Sequence, residues 1–157
     1  MDSSRIAIHT ATQELIDGLK DRIRHADGLE CWAMAKHLPA TSIQRGFDCV
    51  GRCWVATWDD VPTVVFGVTE SAPGVGCPWM LATDDITEMR LSFVRASLKV
   101  IKDMLGEYPL LRNYVDTRNS ISIRWLRWLG FELEEPQNYG LYKLPFHRFE
   151  MRRQNNV

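Results

Sequence analysis

The sequence has little that would tie the protein to a membrane or to nucleic acid. None of its apolar runs approaches the roughly 20 residues needed to span a bilayer. The 19 Lys and Arg residues nearly balance the 20 Asp and Glu residues, and the formal net charge of −1 gives no general attraction to nucleic acid or anionic lipid. The first residues, Met1 to Arg5, lack the apolar core of a signal peptide. We therefore expect a cytoplasmic protein that binds neither membrane nor nucleic acid.

Cysteine and histidine are too few and too scattered to predict a metal site. The cysteines are Cys31, Cys49, Cys53 and Cys77, and the middle pair has Cys-x-x-x-Cys spacing rather than the Cys-x-x-Cys of a zinc knuckle. The histidines lie far apart, at positions 9, 25, 37 and 147. Free cysteine is usually a small buried hydrophobe. We expect reduced, buried thiols and no metal.

The composition is that of one globular domain. Apolar residues make up 45% and charged residues 25% of the chain, a balance typical of folded proteins. A length of 157 residues allows one substantial hydrophobic core, and no repeat or linker divides the chain. We predict a single domain over residues 1–157, with its core over about 6–151.

The periodicity of the apolar residues predicts both strands and helices. β-branched and aromatic runs favour strands, and apolar positions at three- and four-residue spacing favour helices. Predicted strands cover 6–8, 53–58, 63–68, 79–83, 111–115, 131–133 and 142–151, predicted helices 15–26, 29–35, about 41–50, 85–105 and 120–129, and a Gly/Pro-rich loop 71–78. This order implies an α/β fold with a mixed sheet flanked by helices. We expect strands 79–83 and 111–115 to run parallel and to splay apart at a ligand site.

Three carboxylates are candidates for acid–base chemistry, and each also has a structural interpretation. Glu70 ends a predicted strand near the expected cleft, and it is either a general base or an exposed surface carboxylate. Asp85 and Glu88 have the spacing of a capping box at the start of the long helix. That spacing favours a structural role for the pair over a catalytic one.

Arginine and tryptophan alternate in the run 124–128, a pattern that can bind single-stranded nucleic acid. On a helix, however, Ile121, Trp125, Trp128 and Leu129 share one face, which favours core packing. We expect Trp125 and Trp128 to be buried. The basic residues near the C-terminus are either a solvated end or a contact with a partner: His147, Arg148, Arg152 and Arg153.

The run from Asn119 to Phe131 resembles a known C-terminal pattern. It reads Asn-Ser-Ile-Ser-Ile-Arg-Trp-Leu-Arg-Trp-Leu-Gly-Phe, which is similar to the Asn, Ala-Ile, Tyr and Leu-Gly-Phe of the GNAT (N-acetyltransferase) superfamily. From about Ile6 to Met151 the chain also resembles small GNAT-like proteins of tailed bacteriophages. The shared features are Ala-Asp-x-x-Glu at 26–30 and Tyr-Pro-x-Leu-x-Asn-Tyr-Val at 108–115.

The resemblance implies a GNAT-like mixed, splayed sheet and acetyl-CoA as cofactor. The pantetheine arm of the cofactor would pair with the strand that contains Leu81, Ala82 and Thr83. Its pyrophosphate would lie at the N-terminus of the long helix, where backbone N–H groups and the helix dipole favour anions. Arg90 is the nearby cation. Asn119 either contacts the cofactor or caps the helix that follows it.

Two features of the family pattern are missing from this sequence. The glycine-containing pyrophosphate loop would fall near residues 87–92, but no glycine occurs between Gly76 and Gly106. Acidic residues crowd the same helix start, at positions 84, 85 and 88. Leu126 stands where many members have the tyrosine that protonates the leaving thiolate, and leucine has no proton to give.

Two functional hypotheses follow from the sequence. The first is a phage-encoded N-acetyltransferase that moves an acetyl group from acetyl-CoA to an unknown amine in the host cytoplasm, mainly by positioning the reactants and stabilising the oxyanion. The second is a non-catalytic phage protein that keeps the GNAT fold as a binding platform, in the virion or against a host protein.

Overall fold

The computed structural model describes residues 5–154 as eight strands and five helices. In chain order these are β1 (Ile6–Thr10), α1 (Gln13–Asp17), α2 (His25–Ala35), α3 (Pro39–Asp48), β2 (Gly51–Trp58), β3 (Val61–Ala72), β4 (Val75–Ala82), α4 (Ile86–Glu107), β5 (Leu110–Asp116), α5 (Ser120–Leu129), β6 (Glu132–Leu133), β7 (Gln137–Tyr139) and β8 (Leu144–Arg152). The terminal parts of the predicted domain, 1–4 and 155–157, lie outside the described residues. Within 5–154, no helix has both the length and the apolar character needed to cross a membrane.

The strands form one mixed sheet in the order β1-β2-β3-β4-β5-β8-β6, with β7 also pairing with β8. Neighbouring strands are antiparallel except β4 and β5, which run parallel. Helix α4 connects these two strands, as parallel pairing requires. The predicted α/β class and the parallel orientation of the two segments are confirmed.

The two parallel strands separate soon after they begin. Their paired residues are Val75 with Leu110 and Gly76 with Leu111, and among the described residues no later position of β4 pairs with β5. Gly76 permits β4 to begin close to the start of β5, because a Cβ at this position would come within 2.9 Å of the Tyr108 ring. The remainder of β4, up to Ala82, diverges from β5. The predicted splay therefore lies between these strands.

Alternating side chains along the central strands divide the core between the two faces of the sheet. On one face, Phe66 packs edge-on against Phe93 of α4, with 5.4 Å between ring centroids. On the other face, Val65 packs in a cluster with Ile16 of α1 and Ile43 of α3. Helices α1 to α3 thus lie on one face of the sheet, and α4 and α5 lie on the other. The gap between β4 and β5 lies in the sheet that separates these two layers.

The N-terminal helices differ from the prediction. The periodicity predicted one helix over 15–26 that ends at Asp27–Gly28, whereas α1 is short and α2 begins at His25. Asp27 lies in the first turn of α2, where it forms a buried ion pair with Arg24. Helix α3 begins at Pro39, two residues before the predicted start, because the fixed φ of proline suits the first turn of a helix.

The predicted loop over 71–78 is wrong. Strand β3 continues to Ala72 and β4 begins at Val75, so a tight turn joins them. Gly74 in this turn has φ of +76°, in the left-handed region that favours glycine. Strand β7 has no counterpart in the prediction.

Helix α5 has its predicted bounds, but its burial differs from the prediction. Trp125 packs its ring 4.7 Å from that of Phe93, measured between centroids. Trp128 is 63% exposed and Ile121 is 52% exposed. The prediction that Trp128 is buried is wrong. Periodicity groups the residues of one helix face without showing how far a neighbouring helix covers that face.

The basic residues near the C-terminus make contacts within the domain. Arg148 forms an ion pair with Glu134. Arg153 Nη1 donates to the carbonyl oxygens of Leu105 and Gly106 at the end of α4, at 3.2 Å each. A cation is favourable at the C-terminus of a helix. These contacts give the segment a structural role.

Phe93→Ala should lower the free energy of unfolding by about 3–5 kcal/mol, because the ring is 1% exposed and its loss leaves a core cavity. Trp128→Ala should change it by less than about 1 kcal/mol, as expected for an exposed side chain. Urea unfolding followed by circular dichroism measures both. A Trp128→Ala protein as unstable as Phe93→Ala would contradict the exposure of Trp128.

Candidate functional site

A cavity of about 450 Å³ lies between the splayed strands β4 and β5. Its α2–α3 half is lined by Glu30, Cys31, Met34, Arg45, Trp79 and Tyr139, and its α4–α5 half by Phe93, Ser97, Val100, Trp125, Leu126 and Phe149. The lining is mostly apolar, with few polar groups, which is typical of small-molecule sites. Arg45 is exposed, so the α2–α3 half of the cavity reaches the protein surface at this residue.

Helix α2 supplies the hydrogen-bond partners that the diverging strands lose. Asp27 Oδ2 accepts from the Ala82 backbone N–H at 2.9 Å, and the Arg24 backbone N–H donates to the Ala82 carbonyl at 2.8 Å. Glu30 Oε1 accepts from the Asp116 backbone N–H at 2.6 Å. Asp27 and Glu30 are three residues apart, so they lie on one face of α2. This face bridges the C-terminal ends of β4 and β5.

A buried network around Arg24 holds this end of the splay. The Arg24 guanidinium binds both oxygens of Asp27 at 2.8 Å. Its Nη2 also donates to Asn119 Oδ1 at 3.0 Å and to Ser122 Oγ at 2.8 Å. Asn119 Nδ2 in turn donates to Asp27 Oδ1 at 3.1 Å. Asn119 therefore binds this network, and its side chain does not cap α5.

Among the described residues, Glu30 is the one carboxyl in the cavity lining. Burial, together with the neighbouring carboxylates of Asp27 and Asp116, raises the pKa of this carboxyl to about 8, against the lowering effect of the hydrogen bond from the Asp116 N–H. The side chain keeps partial exposure toward the cavity. A glutamate with such a pKa is a stronger base than an ordinary one.

The backbone N–H and C=O of Met80 in β4 are left to face the cavity. Alternation along the strand directs the backbone groups of Met80 and Ala82, and the carbonyl of Pro78, away from β3. Asn113 Nδ2 reaches across the splay to the Pro78 carbonyl at 2.7 Å, and Ala82 is held by α2. Among the described residues, no hydrogen bond reaches the Met80 N–H or C=O on this side. Met80 is the available backbone contact for a ligand.

The backbone groups of the other predicted cofactor contacts are engaged within the protein. Thr83 donates its N–H to the Thr63 carbonyl at 2.9 Å. Leu81 pairs with Val65 of β3, and its side chain packs in the cluster with α1 and α3. Arg90 is exposed on α4. The assignment of Leu81, Ala82, Thr83, Arg90 and Asn119 to a cofactor stays a prediction.

The start of α4 does not form a cradle for a pyrophosphate. Only three residues separate β4 from α4, and the segment 87–92 lies inside the helix. The backbone N–H groups of Ile86, Thr87 and Glu88 already donate to carbonyls of residues 83–85, at 3.1–3.3 Å. Asp84, Asp85 and Glu88 are exposed, and the Asp85 side chain makes no capping hydrogen bond. The predicted capping box is therefore wrong, and three carboxylates oppose an anion here.

Two tryptophans whose indole N–H groups are unpaired line the cavity with their rings. Trp79 lines the α2–α3 half and Trp125 the α4–α5 half. Among residues 5–154, neither buried indole N–H has a hydrogen-bond partner. Glycines fix the Trp79 ring on both sides, because a Cβ at Gly46 or Gly67 would come within 2.6 Å or 3.0 Å of it. The two indole nitrogens are themselves buried, so a ligand in the cavity meets the ring carbons of these side chains.

Glu70, the predicted general base, lies away from the cavity. It is exposed and pairs with Gly76, at the end of the splay where β4 and β5 are still joined. Glu30 lies at the opposite end. Sequence reasoning gave Glu30 no catalytic role, although the spacing Asp27-x-x-Glu30 on one helix face is a signal that two carboxylates act together.

Cys31 and Cys77, two of the thiols that line the cavity, are unreactive at neutral pH. Burial raises the pKa of Cys31 and of Cys77 to about 11, so both stay protonated. Cys49 is exposed, contrary to the expectation of buried thiols. Within residues 5–154, no three His, Cys, Asp or Glu side chains come together as a metal site.

Solved N-acetyltransferase structures share this fold at low sequence identity. The protein yncA of Salmonella typhimurium, solved with its cofactor acetyl-CoA, matches with a TM-score of 0.69 and 11% identity over 98% of this chain and 97% of its own. A GCN5-related N-acetyltransferase of Kribbella flavida matches with 0.70 and 12% over 96% and 99%. Spermidine N-acetyltransferase of Vibrio cholerae, solved with CoA and spermine, matches with 0.69 and 10% over 96% of each chain.

No protein-family model and no curated protein matches this sequence. The structural likeness establishes the fold: the chain has the GNAT architecture that the run from Asn119 to Phe131 predicts.

Glu30→Gln should become progressively more stable than the wild type as pH rises from about 5 to about 8. Unfolded glutamate loses its proton near the ordinary value of 4.5, whereas folded Glu30 keeps its proton up to a pKa of about 8. In this window the unfolded state binds fewer protons, so rising pH destabilises the wild type. Glutamine has no proton to lose, and its amide oxygen can still accept from Asp116.

The measurement is the melting temperature of both proteins across this range, with Glu70→Gln as the matched exposed control. The difference between Glu30→Gln and wild type should widen with pH, while that for Glu70→Gln stays flat. A flat difference for both variants would contradict the raised pKa of Glu30.

Proposed function

We propose that this protein transfers an acetyl group from acetyl-CoA to a primary amine inside the cavity between β4 and β5. The observation that carries the proposal is the position of Glu30, whose carboxyl opens into the splay of an N-acetyltransferase fold. Neighbours of the same fold were solved with acetyl-CoA or CoA. The resemblance to tailed-phage proteins extends the proposal to a phage-encoded enzyme of the host cytoplasm.

Glu30 serves as the general base in this proposal. When bound, acetyl-CoA supplies a thioester whose carbonyl carbon bonds to the amine nitrogen as the C–S bond breaks. The Glu30 pKa of about 8 lies closer than an ordinary carboxyl to the alkylammonium pKa of roughly 10, which makes proton transfer less unfavourable. Of the two protons that the ammonium gives up, one passes through Glu30 to solvent and one ends on the leaving sulfur.

The cavity fits the pantetheine arm of the cofactor. Met80 offers one backbone N–H and one C=O on the splayed edge, and the Trp125 ring lines the α4–α5 half. The remaining lining of that half is apolar apart from Ser97 and Ser122. An arm of alternating methylene and amide groups matches such a lining. Leu126 offers no proton, so the leaving sulfur takes its proton from the ammonium.

The cavity does not fit the nucleotide end of the cofactor equally well. The helix N–H groups that would bind a pyrophosphate already bond to the chain, and Asp84, Asp85 and Glu88 repel it. This observation favours the second candidate, a non-catalytic GNAT-fold protein that binds a phage or host protein. Cofactor binding separates the two candidates.

Acetyl-CoA should bind with a Kd no tighter than roughly tens of micromolar, on the order of −6 kcal/mol. Acetyl-pantetheine should bind within about threefold of that value, since the nucleotide end gains no cradle. Titration calorimetry measures both. A sub-micromolar Kd for acetyl-CoA, with much weaker acetyl-pantetheine, would show that α4 does hold the pyrophosphate. No heat from either probe at millimolar concentration would favour the non-catalytic candidate.

Glu30→Gln should slow N-acetylation by on the order of 10²–10⁴-fold, the usual contribution of a general base. Glu70→Gln should stay near the wild-type rate, because Glu70 lies outside the cavity lining. Mass spectrometry of a panel of primary amines incubated with saturating acetyl-CoA gives the rates. If Glu70→Gln alone lost activity, the general base would be Glu70 at the strand end, as the sequence predicts, and not Glu30.

A further inference from the structure

Resting on the proposed acetyl transfer, we infer that the acceptor is a primary amine with a single positive charge on an apolar or aromatic body. It occupies the α2–α3 half of the cavity, with its nitrogen at Glu30. The inference comes from the charges and shapes that line this half.

The charge of the α2–α3 half suits one ammonium group and no more. Glu30 is its one carboxyl, and it lies at the inner end beside the Asp116 backbone. The charged side chain nearer the surface is Arg45, a cation. A first ammonium therefore finds a carboxylate partner. A second or third ammonium would find no further carboxylate among the described lining residues, and it would face apolar walls, neutral polar side chains such as Ser42, or Arg45.

That arrangement excludes polyamines on energetic grounds. Burying an ammonium without a counter-charge is among the most unfavourable events in a protein interior. Spermidine carries three such groups, spaced by short methylene chains. It would have to desolvate at least one of them against Met34 or Trp79. Compounds with many amino groups meet the same obstacle.

The walls of this half are suited to a flat apolar body. The Trp79 ring is held between Gly46 and Gly67. Tyr139 stacks on Tyr114 with centroids 3.6 Å apart and planes 8° apart. Side chains fixed in this way lose little freedom when a ligand binds. Such preformed aromatic surfaces favour an aromatic or aliphatic body over a hydrated polar one.

Calorimetric titration without acetyl-CoA tests the acceptor class through binding alone. The probes are 2-phenylethylamine, 2-phenylethanol, which has the same body without the charge, and spermidine. The amine should bind at least about tenfold more tightly than either of the others. In Glu30→Gln the amine should fall to the affinity of the alcohol. In Glu14→Gln, which removes an exposed carboxylate on α1, it should bind as to the wild type.

Two results would overturn the inference: spermidine binding as tightly as 2-phenylethylamine, or an amine affinity that Glu30→Gln leaves unchanged. A parallel incubation with acetyl-CoA, read by mass spectrometry, keeps the two proposals separate. Binding of 2-phenylethylamine without its acetylation would uphold the ligand class and remove the acetyl transfer. Acetylation of spermidine but not of 2-phenylethylamine would keep the enzyme and overturn the acceptor class.

Discussion

The buried ion pair between Arg24 and Asp27 is the interaction on which the site depends. A splayed sheet leaves edge N–H and C=O groups without strand partners, and such groups are strongly unfavourable when buried. Asp27 and the Arg24 backbone satisfy Ala82, while the Arg24 guanidinium neutralises the carboxylate. Loss of one partner from a buried pair typically costs about 3–5 kcal/mol. We therefore expect loss of this ion pair to disrupt the splay, the position of α2 and the cavity together.

The same constraint limits what a ligand can contact. Because α2 binds Ala82 and Asn113 binds the Pro78 carbonyl, the open edge of β4 presents, within residues 5–154, the N–H and C=O of Met80. Polar recognition by side chains then falls mainly to Glu30. The backbone groups at the edge of β4 can either bond within the protein, which stabilises the splay, or bind a cofactor. In this chain they mainly bond within the protein.

Much of the fold, but little of the site, could be predicted from the sequence. Strands β2 and β3 and helix α5 follow from the local periodicity of the apolar residues, and the parallel orientation of β4 and β5 follows from the order of the elements. Asp27–Gly28 looked like a helix stop because glycine disfavours helices, yet the Asp27 carboxylate is fixed by Ala82, 55 residues away. The sequence predicts Glu70 as a general base because this residue ends a strand. Which end of the splay stays closed depends on the register of β4 against β5, and neither strand encodes this alone.

The charge state of Glu30 links the two halves of the cavity. With a pKa of about 8, the empty site holds a mostly neutral carboxyl at pH 7, which removes the need to bury an isolated charge. In the proposed reaction, an arriving ammonium reverses that balance, because the carboxylate then has a partner at close range. The proposed pair is jointly neutral, so a thioester in the α4–α5 half would meet no net charge. In the inferred acceptor site, the single carboxyl that admits one amine would also select against further positive charge, and its hydrogen bond with the Asp116 backbone would tie this selectivity to the splay itself.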